Sequence, residues 1–188
     1  GKEQGGKEQI RVDRVDSLIR IYKDNELQVK GERNYYTEST LLKEGEIYFS
    51  EIDLNKEYNQ ITLPRTPTIR AASPLYLDGI LFGIVIINVD LRGLFAELKQ
   101  MTRGEFHLFL FNSRGDFLIH PDSAKAFAFE YGLSASINDL IPAFLIDGSV
   151  NSKYENAESR YLDKDFFYNL TKLESFRANY NCYSVIQV

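Results

Sequence analysis

The 188-residue chain has one cysteine, one methionine, two histidines and no tryptophan. The lone cysteine, Cys182, excludes an internal disulfide and any cysteine-built zinc cluster. Two histidines, His107 and His120, leave metal catalysis few ligands, and neither has an obvious carboxylate partner in the sequence. No long hydrophobic run is present either. The longest, "GILFGIVIINV" at 79–89, has 11 residues, against about 20 for a spanning helix. It reads as a buried strand, apolar on both faces as at the centre of a covered sheet. Nothing at the start of the chain reads as a signal peptide. A basic stripe is missing too: net charge is −5 with the cations scattered, which argues against a nucleic-acid partner.

Catalytic signatures are equally scarce. There is no G-x-S-x-G elbow, no G-x-x-x-x-G-K-[ST] phosphate cradle, no H-E-x-x-H and no G-x-G-x-x-G. Acids are plentiful, but nothing singles out a general acid with its base. The expectation is a non-enzymatic domain without a cofactor.

What is abundant is tyrosine and phenylalanine, 12 and 13 residues. These favour pleated, half-buried surfaces and tilt the reading towards sheets. "QIRVDRVDSLIRIYK" (9–23) alternates, breaks at Val-Asp-Ser and alternates again, a hairpin pattern. "NYYTESTLL" (34–42) reads as a short helix capped by Asn34, and "EIYFSEI" (46–52) as a strand. "DLNKEYNQ" (53–60) is loop-like. Pro64 and Pro67 keep the next residues out of a central strand or a helix interior. Asp78-Gly79, between two apolar runs, predicts a second hairpin. "LRGLFAELKQM" (91–101) has helical spacing at Leu91, Leu94, Phe95 and Leu98. A third hairpin follows in "FHLFLFNSRGDFLIHPD" (106–122), then a helix-like stretch around 134–146 and strands at 165–173 and 182–188. The tripeptide His120-Pro121-Asp122 matches one used by co-chaperones, but it directly follows a strand that Pro121 cannot continue, so it reads as a strand terminator. Hairpin, helix and further antiparallel strands thus occur twice, which predicts an α+β chain of two modules, 1–101 and 102–188, with 91–101 as the linking helix.

Several polar residues fall among apolar ones. Arg70, in "TIRAASPLY", is either a strand arginine facing solvent or an acid, or a guanidinium fork for a ligand carboxylate. Arg33 and Tyr36, with Tyr35, stand at the entry of the short helix, as capping and core residues or as an anion site. Tyr48 and Ser50 alternate onto one face, either the wet side of a sheet or a pocket wall. Asp90 is placed to cap the helix at 91–101 or to hold a ligand amine.

"GERNYYTESTLLKEGEIYFSEIDLN", then "PTIRAASPLYLDGILFGIVIINVDLRGLF", resembles the membrane-distal half of double Cache (double PDC) sensor domains. "FNSRGDFLIHPDSAKAFAFEYG" resembles the opening of their membrane-proximal half. The resemblance implies two PAS-like modules, each an antiparallel sheet flanked by helices, carried on a long N-terminal helix that this chain lacks. The start, "GKEQGGKEQ", repeats itself, and the chain is expected to be an excised piece of a longer protein. The resemblance also implies a periplasmic location between membrane helices and an output through a diguanylate cyclase with a GGDEF domain, a histidine kinase or a chemoreceptor. A small anionic or zwitterionic ligand would bind in the distal module, on Arg33, Tyr36, Tyr48, Ser50, Arg70 and Asp90. The family's amino-acid motif, with a Trp after its Arg, is not matched: Arg33 is followed by Asn34-Tyr35-Tyr36. A structural or homodimerisation module without ligand is the alternative.

Overall fold

The structure, a computed structural model, describes residues 5–15, 17–102, 106–142, 144–146, 149–150, 160–161, 166–169 and 182–187. Two compact units emerge, residues 1–50 with 70–88, and residues 51–69 with 89–188. Two long strands, β7 (Pro67–Leu77) and β8 (Ile80–Asp90), run through both divisions.

The first unit opens on Gly5–Gln9, which lies along 28–31. Lys7 bridges to Val29, Lys30 N–H reaches the Gly6 carbonyl at 3.0 Å, and Lys30 pairs with Glu8 at 3.2 Å. Only glycine fits this approach, because a Cβ on Gly31 would sit 2.2 Å from the Gly5 carbonyl oxygen. The first predicted hairpin forms as β1 (Val12–Val15) and β2 (Leu18–Ile21). Tyr22 lies between the guanidinium groups of Arg11 and Arg20, each near 4.2–4.3 Å from its ring centre, and its hydroxyl donates to Asp13. Helix α1 (Asn34–Ser39) is shorter than predicted, and Arg33, not Asn34, occupies its cap position without a side-chain cap bond. Strand β3 shrinks to Tyr48–Phe49 and pairs antiparallel with β7. The predicted turn at Asp78-Gly79 joins β7 to β8, with both residues at positive φ.

One prediction fails in β8. Ile80, Phe82, Val85, Ile87 and Val89 are exposed, because β8 pairs only with β7 and nothing among the described residues covers these side chains.

In the second unit, β4 (Asp53–Leu54) pairs with the start of β7. The stretch 53–60 is not a plain loop, since β5 (Lys56–Glu57) and β6 (Gln60–Ile61) form a small hairpin. Its turn places Tyr58 and Asn59 at positive φ, a conformation that Asn tolerates and that a Tyr does not advertise. Helix α2 (Arg92–Met101) follows. Leu91 and Phe95 are buried with Ile52, Leu54, Leu118, Ile119 and Phe127, while Leu94 faces solvent.

The remaining sheet has strand order β10-β9-β15-β14-β13, all antiparallel. Its strands are β9 (His107–Asn112), β10 (Phe117–Ile119), β13 (Arg160–Tyr161), β14 (Phe166–Asn169) and β15 (Cys182–Gln187). The pairing of β10 with β9 slips between Phe117 and Ile119, and three consecutive side chains are buried. The turn between them is tied by buried Asn112, whose Oδ1 accepts the N–H groups of Arg114 and Asp116 at 2.9 and 3.0 Å. Among the described residues of 134–146 no α-helix forms. A short 3-10 turn at Ala128–Tyr131 precedes the stretch and another at Ile137–Asp139 falls within it, followed by β11 (Leu145–Ile146) and β12 (Ser149–Val150). The apolar positions there, Ile137, Ile141 and Phe144, are buried, so the apparent helical period reflects anchoring points of an irregular segment. Part of the strand predicted at 165–173 lies outside the described residues.

Candidate functional site

Along the first eight residues of β7 the even positions Thr68, Arg70, Ala72 and Pro74 are buried and the odd ones half-buried. This is a strand with one face turned inward, and Arg70 stands on that face with only 6% of its surface exposed. A buried guanidinium is uncommon because desolvation is costly unless the charge is paired or hydrogen-bonded.

Its neighbours across the ladder follow from register. Tyr48 pairs with Ala72 and Phe49 with Ala71, and the Ser50 N–H continues the ladder to the Arg70 carbonyl at 2.9 Å. Directly opposed residues of an antiparallel pair share a face, so Tyr48, Ser50, Arg70 and Ala72 share one. Ser50 is itself 7% exposed, and its Oγ accepts the Arg70 backbone N–H at 2.9 Å. A side chain thus takes the place of a backbone acceptor, and the pairing changes register by the time it resumes at Asp53 opposite Thr68. From α1, the Tyr35 ring lies with its centre 5.4 Å from the Arg70 guanidinium carbon, within cation–π range.

The six sequence candidates fall into three groups. Tyr48, Ser50 and Arg70 come together on the β3–β7 face. Arg33 and Tyr36 belong to the start of α1, where the Arg33 carbonyl accepts the N–H of Tyr36 at 2.8 Å and of Thr37 at 3.1 Å. The Tyr36 ring lies beside Gly6. Asp90 belongs to the second unit. Its carboxylate accepts the Arg92 backbone N–H at 2.9 Å and two guanidinium N–H groups at 2.9 and 2.6 Å. The Arg92 side chain, aided by that backbone bond, holds Asp90 below the usual carboxylate range.

Tyr35, which the sequence set at the entry of the helix but outside the six ligand candidates, is the ring that meets Arg70. The signal was present, since Tyr35 and Tyr36 are adjacent. Neighbouring helical positions point about 100° apart, and only the packing of α1 tells which ring meets β7.

Elsewhere the chemistry is structural. His120-Pro121-Asp122 is a turn: Asp122 N–H donates to His120 Nδ1 at 2.9 Å and Asp122 Oδ1 accepts the Ala124 N–H at 2.9 Å. Among the described residues no group of three or more His, Cys, Asp or Glu side chains is placed to hold a metal ion. No helix among them is long and apolar enough to cross a membrane.

A family model for the bacterial histidine kinase sensor domain matches residues 3–135. The chain belongs to this sensor-domain family. The matched span includes the Arg70 face, α2 and the third hairpin, and it begins within the Gly-Lys-Glu-Gln repeat. Among solved structures, the chain is similar to the extracellular domain of the candidate histidine kinase vpHK1S-Z8, at 18% identity and TM-score 0.74, over 98% of this chain and 64% of that one. A domain of a candidate sensory box/GGDEF family protein from Vibrio parahaemolyticus matches equally well, at 18% identity and TM-score 0.74, over 98% of this chain and 68% of that one. The ligand-binding domain of the Pseudomonas aeruginosa PAO1 amino-acid chemoreceptor PctC, in complex with GABA, follows at 15% identity and TM-score 0.58, over 95% and 73%. The chain therefore spans about two thirds of the length of the first two. No curated protein matches. The expected likeness to Cache-type sensor domains is met, and so is the reading of a signalling sensor domain.

Proposed function

We propose that this chain is the extracytoplasmic, ligand-binding part of a transmembrane receptor, and that its first unit receives a small anionic or zwitterionic molecule on the Tyr48–Ser50–Arg70 face. The observation that carries the reading is Arg70, a guanidinium on the buried face of β7, laid against Tyr35 and flanked by Ser50 and Tyr48. Guanidinium recognises carboxylates through paired donors, and aromatic walls with a few placed polar groups are the usual furniture of small-molecule sites. That structural neighbours include chemoreceptor domains in complex with GABA and with L-valine supports an amino acid or related carboxylate. Arg33, Tyr36 and Asp90 remain secondary candidates, Asp90 already occupied by Arg92.

The output is a histidine kinase or a diguanylate cyclase, with a chemoreceptor as the alternative. Ligand binding would act by population shift, favouring the arrangement of the first unit that holds the ligand more tightly. Modules 1–101 and 102–188 stay as the reading of the repeated element order. A preceding helix belongs to the same reading, supported by the exposed apolar face of β8.

A thermal-shift panel of L-valine, L-leucine, L-serine, L-arginine, GABA and succinate tests the proposal, with Arg70→Ala in parallel. A ligand at about 100 times its Kd adds roughly 2.7 kcal/mol to stability. The expected result is a shift in the wild type that disappears in Arg70→Ala. A shift retained in the variant moves the site elsewhere. Silence across the panel favours a structural or dimerisation module.

A further inference from the structure

His120 ends β10 in an apolar box. Only 8% of its surface is exposed, and its ring meets Phe117 at 4.7 Å and Phe109 at 5.1 Å between centres, both edge-on. Nδ1 accepts the Asp122 N–H, which puts the single proton of the neutral ring on Nε2. Nε2 is buried and has no hydrogen-bond partner among the described residues. A second proton would have to enter at Nδ1, the atom that is already accepting. It would set two donors against each other and place a cation between two phenylalanine rings, with no acceptor at the other nitrogen.

The surrounding charges do not rescue that cation. Lys125 and His107 oppose it, and the Asp122 carboxylate favours it. Burial first, then Lys125, holds His120 below the ordinary histidine range.

We propose that His120 is an acid-sensitive latch in the second unit: neutral, it seats the chain reversal after β10 against Phe109 and Phe117, and protonated, it leaves that box and releases residues 119–124. The device concerns the second unit and needs no ligand, so it stands apart from the Arg70 reading. A domain facing the outside of a cell meets such acidification directly. The sign follows from linkage. A histidine that binds its proton less readily when folded adds stability above its unfolded value of about 6.5, and that stability is lost as pH falls through the folded value.

The chain has only two histidines, so ring-proton NMR from about pH 8 to pH 5 follows both. The expected result is a His120 ring still neutral below about pH 6.5, with the Asp122 amide shifting only when His120 protonates. In parallel, the folded-to-unfolded ratio from urea titrations should fall by up to about tenfold per pH unit across that window. His120→Asn, whose Oδ1 can still accept the Asp122 N–H but does not titrate, should remove this fall. Protonation of His120 at or above about 6.5 would overturn the proposal, as would a fall in stability that persists unchanged in His120→Asn. Should that variant not fold, the wild-type ring titration decides alone.

Discussion

Phe109, Phe111 and Phe117 of the second unit are exposed by 2% or less, whereas Leu18, Ile19 and Ile21 of the first are exposed by more than 70%. The contrast holds across the described residues. Apart from Ala72 and Pro74, every buried apolar side chain falls in the second unit, and the first buries Gln28, Ser39, Ser50 and Arg70 instead. A second unit built around packed phenylalanines carries its own core, and its packing resists change. The first is held by hydrogen bonds, ion pairs and glycine contacts. Polar burial and modest packing would suit the ligand-responsive role proposed for the first unit, since regions that move in signalling come from the less stable end of a structure.

The largest effect should come from cutting into the phenylalanine core. Phe111, fully buried and edge-on to Phe144 at 5.6 Å, should cost about 3–5 kcal/mol on replacement by alanine in urea unfolding. Ile19→Ala on the exposed hairpin should stay within about 0.5 kcal/mol. Equal costs at the two positions would erase the contrast. Next comes Glu130, whose side chain is nearly buried and takes both Lys56 Nζ at 2.5 Å and the Leu54 N–H at 3.0 Å. Glu130→Ala leaves that amide without its acceptor and should cost about 1–3 kcal/mol, whereas Glu130→Gln keeps an acceptor and should cost less.

Gly31→Ala drives a Cβ into the Gly5 carbonyl and should cost about 1–3 kcal/mol. Its specific sign is lost hydrogen-exchange protection at the Lys30 and Glu8 amides while the Phe109–Phe117 region keeps its own. The smallest effect is at Asp90. Its depressed titration adds stability above the ordinary carboxylate value, lost as pH falls through the folded one. The carboxylate is 43% exposed, so solvent screens it, and Asp90→Ala should cost about 0.5–1 kcal/mol at neutral pH and nothing in acid, as chemical denaturation at two pH values would show.

Element types were largely legible in the sequence. Alternation in 9–23, Asp78-Gly79 and the spacing of Leu91, Phe95 and Leu98 each reflect a local rule, and each element formed. What misled was information carried by neighbours. The apolar run of β8 signalled burial on both faces, but an edge strand is covered only by what lies upon it. Ile137, Ile141 and Phe144 imitated a helix because anchored irregular chain can bury residues at the same spacing. At the site, the alternation of "TIRAASP" exposed Arg70 as the odd residue on an inward face, and "YFS" set Tyr48 and Ser50 together. The meeting of those two strands, and of Tyr35 with Arg70, depends on register and helix packing, which single-strand patterns do not encode.

The most direct test of the central claim is amide mapping of the isotopically labelled chain by two-dimensional NMR, with L-valine and GABA added to millimolar concentration. The account predicts ligand-dependent shifts centred on Tyr35, Tyr48, Ser50 and Arg70, with the β9–β10 core largely still. Binding that moves the second unit while leaving the Arg70 face unchanged would contradict it.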